Sequence, residues 1–120
     1  MKRLLSLLLL TAAGLLAGDA SGTWTGVFRP DNVEQDAKVL LVLKQEGAKL
    51  SGSGGPDESR QHPFEDGKNE DNHLQFKISV GEGFFEFDLT MKGDSITGTM
   101  KINHPGHEAN AKVTLQRAKS

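Results

Sequence analysis

Between residues 85 and 91 the chain reads Phe85-Glu86-Phe87-Asp88-Leu89-Thr90-Met91, with an apolar residue at every second position and an acid or threonine between. This period of two predicts a β-strand with one face on a core. The same alternation occurs over residues 74–80 and 96–102. Glycines in the two intervening links, at residues 81–83 and 92–94, predict hairpin turns. Three consecutive antiparallel strands therefore define the fold class.

The remaining chain follows the same pattern. Further strands are predicted over residues 23–28, 37–45 and 109–117, and residues 49–53 begin another strand, the third in chain order. Residues 60–65 predict a short irregular strand that Pro63 confines to an edge or a bulge. With no segment typical of a helix, the sequence predicts an all-β, antiparallel up-and-down meander of about eight strands, forming a small barrel or a strongly curled sheet.

Two segments depart from the simple pattern. Residues 39–43 are apolar on both faces, so this strand is predicted to be covered on its outer side or to form an interface. Residues 54–72 are rich in glycine and acids, and whether they are ordered is left open. A mobile loop over the mouth of the barrel is one alternative for this region.

An internal repeat relates two hairpins. Residues 43–52 align without a gap on residues 89–98, with leucine, glycine, leucine or isoleucine, and glycine at matching positions. Each copy predicts a glycine turn and then a second glycine, Gly52 or Gly98, that lets a curved sheet bend. Coincidence between two ordinary hairpins is the alternative.

The first twenty residues resemble a targeting segment. Lys2 and Arg3 precede an apolar stretch over residues 4–16, which is too short to cross a bilayer but fits the core of a signal peptide. Gly18 and Ala20 place small residues before a cleavage site. The predicted organisation is a signal peptide at residues 1–20 and a β domain at residues 21–120, exported to the periplasm or secreted, with no membrane span after processing.

Composition excludes several classes of function. A formal net charge of −2, with no clustered basic face, argues against nucleic acid as a partner. The chain has no cysteine, which excludes disulfides, thiolate catalysis and cysteine zinc sites. Neither a nucleophile beside a base nor a pair of carboxylates is evident, so we expect no enzyme activity and no cofactor.

Histidines and acids suggest metal ligands only weakly. His104-Pro105-Gly106-His107 is typical of a turn with solvated histidines, although imidazoles are common zinc and copper ligands. The paired acids between residues 57 and 71 lack the spacing of a calcium loop. We therefore predict no metal site.

Gly22-Thr23-Trp24, at the start of the first predicted strand, resembles the Gly-x-Trp signature of lipocalins and related exported barrels. The resemblance implies that the tryptophan plugs the closed end of a barrel beneath a basic residue of the last strand. Arg117 is in phase with Ala111, Val113 and Leu115 and is the candidate for that contact. The alternative is a core tryptophan and a solvated arginine. The other lipocalin motifs are absent, and the chain is short for that family.

A barrel of this size is either filled by side chains or holds one small ligand. We predict a non-catalytic binding protein for a small apolar or amphipathic molecule. The alternative is a protein-interaction or envelope-associated structural module with a filled core, and a homodimer is left open. The candidate interior residues for ligand binding are Trp24, Phe28, Phe76, Phe85, Phe87, Met100 and Arg117.

Overall fold

A computed structural model describes residues 19–118, which form a closed barrel of eight antiparallel strands in chain order. The first eighteen residues of the predicted signal peptide lie outside the described residues. Within residues 19–118, no helix is long and apolar enough to cross a membrane. The strands are β1 (Gly22–Pro30), β2 (Ala37–Glu46), β3 (Lys49–Asp57), β4 (Arg60–Glu70), β5 (His73–Val80), β6 (Gly83–Lys92), β7 (Ser95–His104) and β8 (His107–Arg117).

Each strand pairs with its neighbours in sequence, and β1 pairs with β8 to close the barrel. This pairing confirms the predicted all-β meander and its strand count. It also shows that the strands form a barrel and not an open curled sheet. The antiparallel order places each new strand beside the last, and the coiling of the sheet then brings the first and last strands together.

The alternation along β6 sorts its residues as predicted. Phe87, Leu89 and Met91 are buried inside the barrel, whereas Glu86 and Asp88 lie on the exposed outer face. Every strand adds inward residues to one apolar core. Strand β2 carries apolar residues on both faces, but its outer face is only partly covered. There, Leu40 is half-buried and Val42 is 41% exposed.

The order of residues 54–72, left open by the sequence, is decided by strands β3 and β4, which include almost all of this region; the mobile-loop alternative is wrong. The register shifts between β3 and β4 and again between β4 and β5, which indicates β-bulges. Asp66, with a φ of 54°, lies within the second shift. Such irregularity masks the period of two, which explains why the sequence resembled a loop.

Pro63 does not mark a free edge. It pairs with Ser53 of β3, and β4 is also paired with β5 on its other side. Of the two predicted settings, the edge is wrong because a closed barrel has no edges, whereas the bulge agrees with the register shifts on either side of the Ser53–Pro63 pair. The proline is accommodated in a strand that already carries interrupted hydrogen bonding.

The two hairpins related by the internal repeat have matching geometry. Gly47 and Gly93 occupy equivalent turns with φ values of 62° and 60°. Leu43 pairs with Gly52 in the first hairpin, as Leu89 pairs with Gly98 in the second. At Gly52, where φ is 139°, a Cβ atom would lie 1.9 Å from the carbonyl oxygen of Val42. Only glycine therefore fits this strongly coiled pairing.

The barrel has two distinct ends. The closed end carries Asp19 and Ala118, the first and last residues of the described chain, with the turns at residues 47–48, 71–72 and 93–94. The open end carries the β1–β2 connection at residues 31–36 and the turns at residues 58–59, 81–82 and 105–106. The terms closed end and open end refer to these sets below.

Candidate functional site

A cavity of about 310 Å³ occupies the open end of the barrel. This volume lies at the small end of the range found for ligand sites in proteins. Its wall is almost entirely apolar and comes from strands β1 to β7. Aromatic and large aliphatic side chains form most of it, notably Phe28, Val39, Leu41, Phe85, Phe87 and Met100.

Small residues leave the space that the cavity occupies. Ala37 and Gly54 line the wall at positions where larger side chains would fill the interior. A Cβ atom at Gly54 would lie 2.7 Å from Leu41 Cδ2 and 2.9 Å from Ile78 Cδ1. The two aliphatic side chains therefore pack over the bare backbone of β3, and any residue larger than glycine would displace them.

A stack of three phenylalanine rings bounds the cavity on the side of β4 to β6. The ring centroids of Phe64 and Phe76 are 4.0 Å apart, and those of Phe76 and Phe87 are 4.6 Å apart. Phe87 lines the cavity, whereas Phe76 lies behind it in the stack. Packing in this stack holds the Phe87 ring in place at the cavity wall.

Two basic residues belong to the cavity lining near the open end. His62 pairs with Gly54 across the β3–β4 ladder, so its side chain shares the inner face of the sheet. Lys38 also borders the cavity, but it lies between the inward residues Ala37 and Val39, so its exposed side chain is on the outer face. His62 is therefore the basic side chain on the inner face of this lining.

The outer rim at this end is fixed by exposed ion pairs. Arg60 contacts Asp57 at 2.7 Å across the β3–β4 turn, and Arg29 contacts Asp36 at 2.7 Å across the β1–β2 connection. Hydrogen bonds from the Arg60 guanidinium, and then from Ser59, hold the pKa of the Asp57 carboxyl well below its usual range. The Arg60–Asp57 pair spans the tight turn between β3 and β4, beside the cavity.

His104 and His107 face each other across the Pro105-Gly106 turn, as the sequence predicted. Both are exposed at the open end. Among residues 19–118, no group of three or more histidine, aspartate or glutamate side chains is placed to hold a metal ion.

The structure separates the seven candidate site residues into three groups. Phe28, Phe85, Phe87 and Met100 line the cavity, and Phe76 lies behind its wall. Trp24 and Arg117 lie at the closed end, away from the cavity. The sequence prediction groups Trp24 and Arg117 with the cavity residues because all seven are predicted to face inward. Alternation along a strand gives the face on which a residue lies but not its height along the barrel.

Trp24 and Arg117 make the contact that the lipocalin resemblance implied. The Arg117 guanidinium carbon lies 4.4 Å from the centroid of the Trp24 ring, and the two residues are direct partners in the β1–β8 ladder. Trp24 is fully buried, and its Nε1 donates to the backbone oxygen of Ala20 at 2.9 Å. Arg117 Nε donates to Asp94 Oδ1 at 2.8 Å, which fixes the guanidinium over the ring.

Sequence reasoning missed Ala37, Gly54 and His62 as residues of the cavity. Gly54 and His62 fall in the region that resembled a loop, so no inner face was assigned to them. Ala37 is the first residue of its strand and too small to stand out. A search for small residues in phase with large inward neighbours would have found Ala37, which is in phase with Val39 and Leu41.

The fold and cavity define a class: an eight-stranded, antiparallel, up-and-down barrel closed at one end and holding an apolar cavity at the other. Comparison with known proteins adds no closer relationship, because no protein-family model, curated protein or solved structure matches the chain.

Proposed function

We propose that this chain is an exported, non-catalytic protein whose barrel binds a small apolar or amphipathic molecule in the cavity at the open end. The observation that carries the proposal is the cavity of about 310 Å³ with its almost wholly apolar wall. Burial of apolar surface is the main favourable term in binding such ligands.

The mouth favours a ligand with a polar or acidic end. His62 is a basic residue of the lining, is exposed, and shares the inner face of the sheet with Gly54. A molecule that buries its apolar part against Phe85 and Phe87 would place its polar end beside His62. This arrangement leaves no charged group of the ligand in the apolar interior, where desolvation would be costly.

Export is supported by the sequence pattern of residues 1–18, with Lys2 and Arg3 before an apolar stretch. The lipocalin-like character is supported by the cover that Arg117 provides over Trp24.

Two fluorescent probes that share one ring system test the binding proposal. N-phenyl-1-naphthylamine is neutral, and 8-anilinonaphthalene-1-sulfonate adds an acidic group. We expect both probes to gain fluorescence with the native protein. Ala37→Leu extends a side chain into the cavity and should weaken both probes at least about tenfold, since filled space excludes the ligand. The His62→Leu variant should weaken the sulfonate more than the neutral probe.

The matched control is Val42→Leu, which enlarges an exposed residue on the outer face of the same strand. It should leave both affinities unchanged. Equal binding by the Ala37→Leu and Val42→Leu variants would contradict a site inside the barrel.

An interaction module remains the second candidate, and one observation favours it. Val42 is exposed beside half-buried Leu40 on the outer face of β2. A patch of two apolar side chains is common on the surface of monomeric proteins. The cavity is therefore the stronger evidence for function. Sedimentation that shows a dimer, dissociated by Val42→Lys, together with no probe binding would favour the interaction module.

A further inference from the structure

Residues 19–21 are built into the closed end of the barrel. Ala20 is fully buried and belongs to the core cluster. Its backbone N–H donates to Gln45 Oε1 at 2.9 Å, and its backbone oxygen accepts the indole N–H of Trp24 at 2.9 Å. Both polar groups of this one residue are therefore used inside the fold.

The neighbours of Ala20 are held as firmly. Arg117 Nη1 donates to the backbone oxygen of Ser21 at 2.8 Å, and Arg117 Nη2 donates to the backbone oxygen of Asp19 at 3.1 Å. Ser21 Oγ accepts the backbone N–H of Gln45 at 2.9 Å. Residues from β1, β2 and β8 thus converge on three consecutive residues, which we call the plug (residues 19–21).

Gln45 extends this network to β4. Its Oε1 accepts from Ala20 and also from Asn69 Nδ2, at 2.9 Å in each case. Asn69 is 6% exposed, a buried polar residue whose side chain depends on this contact. Without Ala20, the Gln45 oxygen would lose one of its two donors in a partly buried site.

Cleavage after Ala20 would damage this arrangement in two ways. It would remove the acceptor of the Trp24 indole and one acceptor of Arg117, leaving donors unpaired at the closed end. It would also create a charged α-amino group on Ser21, the residue whose carbonyl accepts a hydrogen bond from Arg117. Two positive groups would then lie close together.

We propose that the mature protein retains Asp19 and Ala20, so that the leader ends at Ala17 or Gly18 and the folded chain begins at Gly18 or Asp19. This inference rests on the export part of the proposed function. Ala17 and Gly18 each place a small residue directly before the cut, although each cut would have leucine two residues earlier. Gly18 and Ala20 place small residues at both positions that signal peptidase recognises. The sequence pattern therefore favours a cut after Ala20, whereas the tertiary contacts favour a cut before Asp19 or Gly18.

The test is the intact mass of the product after expression of the full chain in a bacterium with a periplasm and a signal peptidase. We expect a periplasmic product that begins at Gly18 or Asp19. A periplasmic product that begins at Ser21 would overturn the inference and leave export standing. A cytoplasmic product of all 120 residues would overturn the inference and export together, while the probe experiment would still report on ligand binding.

Ala20→Leu in the full chain gives an independent measurement. The variant removes the small residue that a cut after position 20 requires, so under our proposal the N-terminus of the product does not move. Its melting temperature falls, because leucine does not fit where Ala20 is fully buried. Ala20→Gly is the matched control and should keep both the N-terminus and most of the thermal stability. A block of processing in Ala20→Leu but not in Ala20→Gly would overturn the proposal.

Discussion

The two ends of this barrel use the same strands for opposite purposes. At the closed end, Trp24 is fully buried, its indole N–H is bonded, and Arg117 covers its face. At the open end, the equivalent interior is an apolar cavity whose wall includes the bare backbone of Gly54. Inward-facing residues alternate in both places, so the difference lies in side-chain size and in the contacts of the chain ends.

The comparison indicates where stability and binding reside. The closed end joins residues from the N-terminal plug, β2 and β8 through hydrogen bonds and packing. The rim of the open end is held by exposed ion pairs between neighbouring residues, which contribute little to stability. Substitutions at the closed end should therefore unfold the protein, whereas substitutions at the open end should mainly change binding.

The largest effect is expected from Trp24→Ala. Loss of a fully buried indole should lower the free energy of unfolding by about 3–5 kcal/mol. Phe28→Ala, on the same strand but half-buried beside the cavity, should lower it by less than about 2 kcal/mol and should weaken the binding of the neutral probe. Urea unfolding followed by circular dichroism gives both values. Equal losses would show that the two ends are not divided in this way.

A smaller effect is expected from Arg117→Met, which keeps the apolar stem but removes the guanidinium. Loss of its hydrogen bonds and its contact with the Trp24 ring should cost about 1–3 kcal/mol. Because Trp24 is the one tryptophan of the sequence, its emission should also shift to longer wavelength as water reaches the ring. Arg29→Met breaks the exposed pair with Asp36 and should cost less than about 1 kcal/mol, with no change in emission. A red shift in Arg29→Met but not in Arg117→Met would contradict the role of Arg117 in covering the Trp24 ring.

The smallest effect is expected in acid. The pKa of Asp57 is lowered by hydrogen bonds from Arg60 and Ser59, and that of Asp19 by hydrogen bonds from the backbone and side chain of Ser21. A carboxyl whose pKa is lower in the folded state stabilises the fold above its unfolded pKa, near 4, and this contribution is lost as pH falls toward the folded value.

Melting temperature should therefore decline as the pH is lowered from about 4. Asp57→Asn should reduce the slope of that decline, and Asp19→Asn should reduce it less, because its carboxyl is less perturbed. Thermal unfolding of the wild type and both variants over this pH range checks the order. A steeper slope in either variant would contradict the sign.

Much of the fold was predictable because it depends on local alternation. The stretch from Phe85 to Met91 has one polar face and one apolar face, and burial follows that pattern whatever the neighbouring strands do. The turns at Gly81 and Gly93 were predictable for a related reason, since both residues adopt positive φ. Strands β3 and β4 were only half recognised, because bulges and glycines break the period on which the prediction relies.

The candidate site was less accessible from the sequence. Phe28, Phe85, Phe87 and Met100 were named because they are large and inward, but so were Trp24 and Arg117, which lie at the other end. A cavity is defined by what is missing, and Ala37 and Gly54 contribute by being small. Their significance appears only when the opposite wall is known.

By itself, the sequence determined the all-β class, the number and order of the strands, and the face on which most side chains lie, since these follow from a period of two and from turn chemistry. Tertiary structure alone decided the closure of the barrel, the height of each inward residue along it, and the incorporation of residues 19–21 into the closed end. Those features depend on contacts between residues far apart in the chain, such as Asp19 with Arg117, and no local pattern records them.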